Sequence, residues 1–161
     1  MKDAPHQHEI ADLAGGCFWQ IEDEFLNLPG VIRTQVGYEG GTMPRPTYAQ
    51  VCSHVTGHAE TVRVTFDPSV IEYEDLVQKY MQMHDPTQID RQGPDVGENY
   101  RSAIFYHSPD QQAAAEKVVA EINESGRYAD PVVTKIEPAT KFWPAEDYHQ
   151  QFLAKQRSRS M

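Results

Sequence analysis

The chain has 161 residues, 39% hydrophobic and 24% charged, with proline and glycine spread along its length. This composition excludes a disordered segment and predicts one domain over residues 1–161 with loose ends at 1–7 and 156–161. A formal net charge of −10 would repel nucleic acid and anionic membranes, so neither is expected as a partner.

In chain order, a strand is predicted near His8–Ala14, followed by a helix from Cys17 whose apolar stripe is Phe18, Ile21, Phe25 and Leu28; Trp19 lies off that stripe. Val31–Tyr38 and Glu60–Phe66 read as strands, the second alternating Val62, Val64 and Phe66 with Thr61, Arg63 and Thr65, so that one face is buried. Glu72–His84 reads as a helix carrying Leu76, Val77, Tyr80 and Met81 on one side, and Ala103–Tyr106 as a further strand. Ser108-Pro109-Asp110-Gln111 is a helix start, with serine as the cap, proline in the first turn and glutamine able to complete a capping box, and Gly126 is the matching stop. Val132–Ile136 is expected as a last strand and Ala145–Lys155 as a last short helix, giving a mixed α+β fold with helices packed on a sheet. No internal repeat is present. Three loops, 40–47, 53–58 and 84–99, are polar and rich in glycine or proline, and function tends to sit in such loops.

No apolar run is long enough to span a bilayer, and the start MKDAPHQHEIADL lacks the apolar core of a secretion signal. The two cysteines, Cys17 and Cys52, do not make the disulfide framework of a small secreted module, so a cytoplasmic chain with a free thiol is expected.

Gly15-Gly16-Cys17-Phe18-Trp19 stands where a strand gives way to a helix. The glycines allow a tight turn, and Cys17 at a helix N-terminus should have its pKa lowered by the unpaired amides and the helix dipole, making it a reactive thiolate. Otherwise Cys17 is a small buried residue, and Trp19 either walls a pocket or covers the sheet edge. Further on, Gly57 delivers Glu60 to the start of a strand. If Val62, Val64 and Phe66 face inward, Glu60 does too, and desolvation should raise its pKa until it can donate a proton near neutrality; at an open strand end it would be an ordinary surface acid. His54 and His58 form no zinc-protease signature and have no evident third ligand, so no metal is expected. The third cluster, Asp95 to Ser102, brings an acid, a phenol and a guanidinium together in a glycine-rich loop, which alone could be a surface loop with Asp95 bonded to its own backbone.

Together the three clusters resemble the A-type methionine sulfoxide reductase family. The likeness runs from Ala14 to about Leu153 through Gly16-Cys17-Phe18-Trp19, the Tyr48 to Glu60 block, the Asp95 to Ser102 block and Phe142-Trp143-Pro144-Ala145-Glu146-Asp147-Tyr148-His149-Gln150. The resemblance implies a mixed β-sheet with flanking helices in a ferredoxin-like two-layer core. It also implies an oxidoreductase that repairs oxidative damage by reducing methionine-S-sulfoxide, free or in proteins. Cys17 would be the nucleophile, Glu60 the acid, Tyr48 and Tyr100 donors to the sulfoxide oxygen, Phe18 and Trp19 the pocket for the substrate methyl, and Asp95 an orienting group for the substrate backbone or a water. Cys17 would be left as a sulfenic acid.

Many relatives carry recycling cysteines in a C-terminal tail, whereas this sequence ends Ala154-Lys155-Gln156-Arg157-Ser158-Arg159-Ser160-Met161. Cys52 is the one internal candidate for a resolving thiol, but it falls where the family shows a structural cysteine. The expected reductant is therefore external, thioredoxin or glutathione with glutaredoxin, acting on a monomer with no bound cofactor. Asn99 stands where relatives often have glutamine. The alternatives are a cysteine hydrolase or amidase pairing Cys17 with His54 or His58, and a noncatalytic module for methionine-containing peptides; neither accounts for a protonatable Glu60 beside two tyrosines. A cysteine phosphatase is excluded because it needs an arginine soon after the nucleophile, and Asp23 sits there.

Overall fold

The computed structural model describes residues 8–159. Its frame is a βαββαβ unit: β1 (Glu9–Ala14), α1 (Phe18–Phe25), β2 (Val31–Glu39), β3 (Ala59–Phe66), α3 (Tyr73–Gln82) and β6 (Ala103–Tyr106), with α2 (Tyr48–Cys52) inside the β2–β3 connection. The minor two-stranded ribbon β4 (Arg91–Gln92) and β5 (Asp95–Val96), followed by one 3-10 turn at Glu98–Tyr100, precedes β6. Beyond the frame come α4 (Pro109–Ser125), β7 (Lys135–Pro138), β8 (Trp143–Pro144), a 3-10 turn at Asp147–His149 and α5 (Phe152–Arg159).

The six-stranded sheet runs β7-β6-β1-β3-β2-β8, antiparallel throughout except for the parallel pair β6–β7. Its central order β6-β1-β3-β2 is the ferredoxin-like arrangement. Alternation along the strands sends Ala11, Leu13, Val36, Val62, Val64, Phe66 and Ile104 into a core with Phe18, Ile21 and Phe25 of α1, Leu76, Val77 and Met81 of α3, and Val118 of α4. Burying those side chains is the main driving force for the two-layer packing. On the other face, Asp12 is fully buried and accepts Arg63 Nε and Nη2 at 2.9 and 2.9 Å, so that an ion pair bridges β1 and β3.

The predicted helix start is observed, with the Ser108 side chain accepting the Gln111 N–H at 3.2 Å and Gly126 ending α4 in the left-handed region at φ 72°, but the Gln111 side chain accepts the His107 N–H at 2.9 Å instead of closing a capping box on Ser108. Two expectations are corrected. The strand expected at Val132–Ile136 lies at Lys135–Pro138, because Val132 and Val133 give their N–H groups to Asn123 Oδ1 and the Pro86 carbonyl, and pairing begins only where β6 begins, at Ala103 opposite Lys135. The helix expected over Ala145–Lys155 starts at Phe152; before it, Ala145 and Gln150 are hydrogen-bonded to Val36 of β2, which holds the segment against the sheet edge instead of in a helix. The short α2, the β4–β5 ribbon and β8 were not legible in the periodicity.

Candidate active site

Gly16 makes the turn between β1 and α1 at φ 88°, a region glycine enters at no steric cost, and its N–H is held by the Tyr100 carbonyl at 3.1 Å. Cys17 thus occupies the N-cap position of α1, half-buried and free of any disulfide. Beside it, β3 enters the sheet with Glu60 opposite Tyr38 of β2 and on the same inward face as Val62 and Val64. Glu60 is 1% exposed, and its Oε1 accepts the Phe18 N–H at 3.2 Å, one residue beyond the thiol. Its Oε2 is buried without a hydrogen-bond partner.

Burial pushes the Glu60 carboxyl up to about 7, against the opposing pull of the Phe18 amide. Cys17 departs from expectation: its thiol is pushed up to about 12, by burial first and by the charge of Glu60 next, with Asp95 adding to the effect. The Trp19 and Gln20 amides do favour the thiolate, as a helix N-terminus should, but desolvation and a neighbouring carboxylate outweigh them. In this substrate-free site one negative charge suppresses the other.

Aromatic rings enclose the pair. Phe18 is buried, with Tyr48 stacked at 6.5 Å and the His149 ring at 5.2 Å between centroids. Tyr48 is the first residue of α2, held there by a capping box between Thr47 and Gln50 and by its own N–H to Glu146 Oε2 at 2.9 Å. Tyr100 closes the 3-10 turn after the ribbon; burial and the charge of Glu60 push its phenol up to about 12, so both phenols remain protonated donors at neutral pH. Cys52 lies one helical turn after Tyr48, near enough to the Tyr48 and Tyr100 phenols for both to favour its thiolate against the effect of burial. Asp95 is half-exposed on β5, and its charge reaches both Cys17 and Glu60.

A family model described as peptide methionine sulfoxide reductase matches residues 9–161. The chain belongs to this family. It is 54% identical over 147 residues to the peptide methionine sulfoxide reductase MsrA of Geobacter sulfurreducens, covering 91% of each chain. It is also 54% identical to the MsrA of Methanothermobacter thermautotrophicus, over 92% of this chain and 88% of that one. Among solved structures, methionine sulfoxide reductase A of Corynebacterium diphtheriae matches with TM-score 0.88 at 37% identity, over 98% of this chain and 78% of that chain. Reduced Mxr1 of Saccharomyces cerevisiae matches with TM-score 0.88 at 33% identity, over 97% and 90% respectively.

Within the reductase site, the periodicity marked Trp19 by its place off the core stripe but gave no signal for its partner His149 or for Glu146. Trp19, off the core stripe of α1, stacks on Phe152 at 3.9 Å and gives its indole N–H to His149 Nδ1 at 2.9 Å. That bond places the proton of neutral His149 on Nε2, and burial lowers the affinity of the ring for a second one. Glu146 ties the Tyr38 hydroxyl at 2.8 Å and the Tyr48 amide, so one carboxylate sets two walls of the cup. The segment carrying Glu146 and His149 is some ninety residues or more from those partners in sequence, and the pairing of β8 with β2, together with the bonds of Ala145 and Gln150 to Val36, brings it there.

Of the two loop histidines, His58 is occupied within its own loop, accepting the Gly41 N–H at 3.0 Å and donating to the Met43 carbonyl at 2.8 Å. His54, at φ 64°, lies against Gly97. Among the described residues no group of three or more His, Cys, Asp or Glu stands where it could hold a metal ion, and no helix is long and apolar enough to cross a membrane.

Proposed function

We propose that this chain reduces methionine-S-sulfoxide, free or in proteins, to methionine, with Cys17 as nucleophile and Glu60 as proton donor. The observation that carries this reading is the coupling of a thiol at a helix N-terminus to a buried carboxyl of raised pKa through the Phe18 amide. A sulfoxide has an electrophilic sulfur and a basic oxygen that leaves poorly unless protonated, so both groups are required together.

Above about pH 7 the Cys17–Glu60 pair holds one proton, which rests on sulfur. As Cys17 closes on the substrate sulfur, its proton passes to Glu60 and on to the sulfoxide oxygen, while Tyr48 and Tyr100 donate hydrogen bonds to that oxygen. Phe18 and Trp19 enclose the methyl group, and Asp95 orients the substrate backbone. The sulfur–oxygen bond of the substrate breaks, methionine leaves, and the oxygen remains on Cys17 as a sulfenic acid, so that thiol plus sulfoxide balances sulfenic acid plus thioether.

An external thiol then condenses with the sulfenic acid, releasing water and forming a mixed disulfide that a second thiol reduces. We assign this role to thioredoxin or to glutathione with glutaredoxin, in a cytoplasmic monomer without a bound cofactor. Cys52 is a poor resolver, because burial raises its pKa and keeps the sulfur protonated, outweighing the opposite pull of the Tyr48 and Tyr100 phenols. The test is a single-turnover assay without reductant: wild type should form about one methionine per chain, Cys17→Ser none, and Cys52→Ser about one. A Cys52→Ser enzyme that turns over with dithiothreitol but not with glutathione would overturn the recycling scheme, and a Cys17→Ser enzyme that still forms methionine would overturn the whole reading.

A further inference from the structure

Asn99 is 1% exposed, in the 3-10 turn immediately before Tyr100, and neither Oδ1 nor Nδ2 of its carboxamide has a hydrogen-bond partner. Burying both ends of an amide without partners is costly, and native structures keep such groups for a reason. Glu60 Oε2 is likewise buried without a partner, and the turn that carries Asn99 packs against β3, which carries Glu60. The orientation is set by Gly97, whose φ of 141° only glycine adopts readily: an ideal Cβ there would stand 2.7 Å from Asn99 Oδ1 and 2.2 Å from the His54 ring. With Oδ1 lodged on the Gly97 side, Nδ2 is the end left for the carboxyl. The amide accordingly favours the ionised forms of both Glu60 and Tyr100 without closing a direct bond in the resting geometry.

We infer that Asn99 is the positioning residue for Glu60: its carboxamide closes on Oε2 when that oxygen carries charge, and so decides where the proton of the Cys17–Glu60 pair resides. An amide donor holds a carboxylate more strongly than a neutral acid, so the contact acts selectively on one protonation state. The inference rests on the proposed reduction and adds the residue that regulates its proton. Asn99 acts through Glu60 and takes no part in bond making or breaking.

The experiment is the second-order rate constant for single-turnover reduction of a methionine-S-sulfoxide peptide, from about pH 5 to about pH 10, for wild type, Asn99→Leu and Asn99→Gln. Wild type should rise through a midpoint near 7. Losing one hydrogen bond to a charged group should move the Asn99→Leu midpoint up by about one pH unit, which makes it roughly fivefold slower at pH 7 and restores it near pH 9. Asn99→Gln, which keeps the amide, should return the midpoint toward wild type. An Asn99→Leu enzyme slowed equally at every pH, or unchanged, overturns the inference. Should Asn99→Leu fail to fold, Asn99→Ser takes its place, and the protonated-carboxyl stretch that disappears in Glu60→Gln is followed by infrared spectroscopy through the same titration; an unmoved midpoint has the same meaning. Wild type that forms no methionine would sink the proposed function itself, so the two failures are distinguishable.

Discussion

Glu60 Oε1 accepts the Phe18 N–H at 3.2 Å, so the first amide after the nucleophile is spent on the acid rather than on the thiol. This one bond docks the N-terminus of α1 onto β3 and fixes the distance between the two groups that must share a proton. It also explains why a helix N-terminus here does not leave a resting thiolate: the nearest amide is engaged, and the nearest carboxyl is a like charge.

The rate should therefore follow the proton count of the pair. Below about pH 7 both Cys17 and Glu60 are protonated and no internal transfer can create a thiolate; above it a single proton is shared. The second-order constant is expected to rise with pH through about 7 and then level off, and Glu60→Gln should lose both that limb and roughly 10² to 10³ in rate. A wild-type profile that falls through pH 7 would contradict this assignment.

Ionising Glu60 in the fold also has a cost in stability. Its pKa is raised from an ordinary 4.5 to about 7, so the unfolded chain releases this proton first, and the penalty is absent below about pH 4.5 and grows until about pH 7. Glu60→Gln should be more stable than wild type at pH 8 by roughly 2–4 kcal/mol, with the gap closing toward pH 4.5. Urea denaturation at the two pH values measures it, and equal stabilities at pH 8 would show that the carboxyl is not desolvated.

Tyr48→Phe and Tyr100→Phe each remove a donor without removing a ring. Each is expected to slow single turnover by roughly tenfold and the pair by 10² to 10³, with the substrate concentration for half-maximal rate little changed. Because both phenols interact electrostatically with Glu60 and Cys52, their effects should not be independent, and a double-mutant cycle reads the coupling.

Trp19→Phe keeps a ring against Phe152 but leaves His149 Nδ1 buried without a donor. The expected destabilisation is about 1–3 kcal/mol, with weaker binding of substrate because His149 also packs on Phe18 and Tyr48. Thermal melting together with the substrate dependence of single turnover checks both parts.

Gly97→Ala places a methyl group into the His54 ring and Asn99 Oδ1 at a φ of 141°. Strain of this kind should destabilise the fold by roughly 2 kcal/mol or more and displace Asn99. Chemical denaturation gives the first number, and the pH midpoint of single turnover reports the second.

Local patterning was enough to determine the strand and helix alternation, the start of α1 at Cys17 and the inward register of Glu60, because a period of 2 or 3.6 and a glycine turn are properties of a few consecutive residues. The order of chemistry along the chain, and the family resemblance it carries, were likewise present in the sequence. The bounds of β7 and α5 were not, since each is set by a partner strand or by side chains anchored to β2. Nor could the sequence decide the proton affinity of Cys17, the lock between Trp19 and His149, or the orphaned amide of Asn99. Those depend on which distant groups share a low-dielectric space, and only the folded chain brings them within a few ångströms of one another.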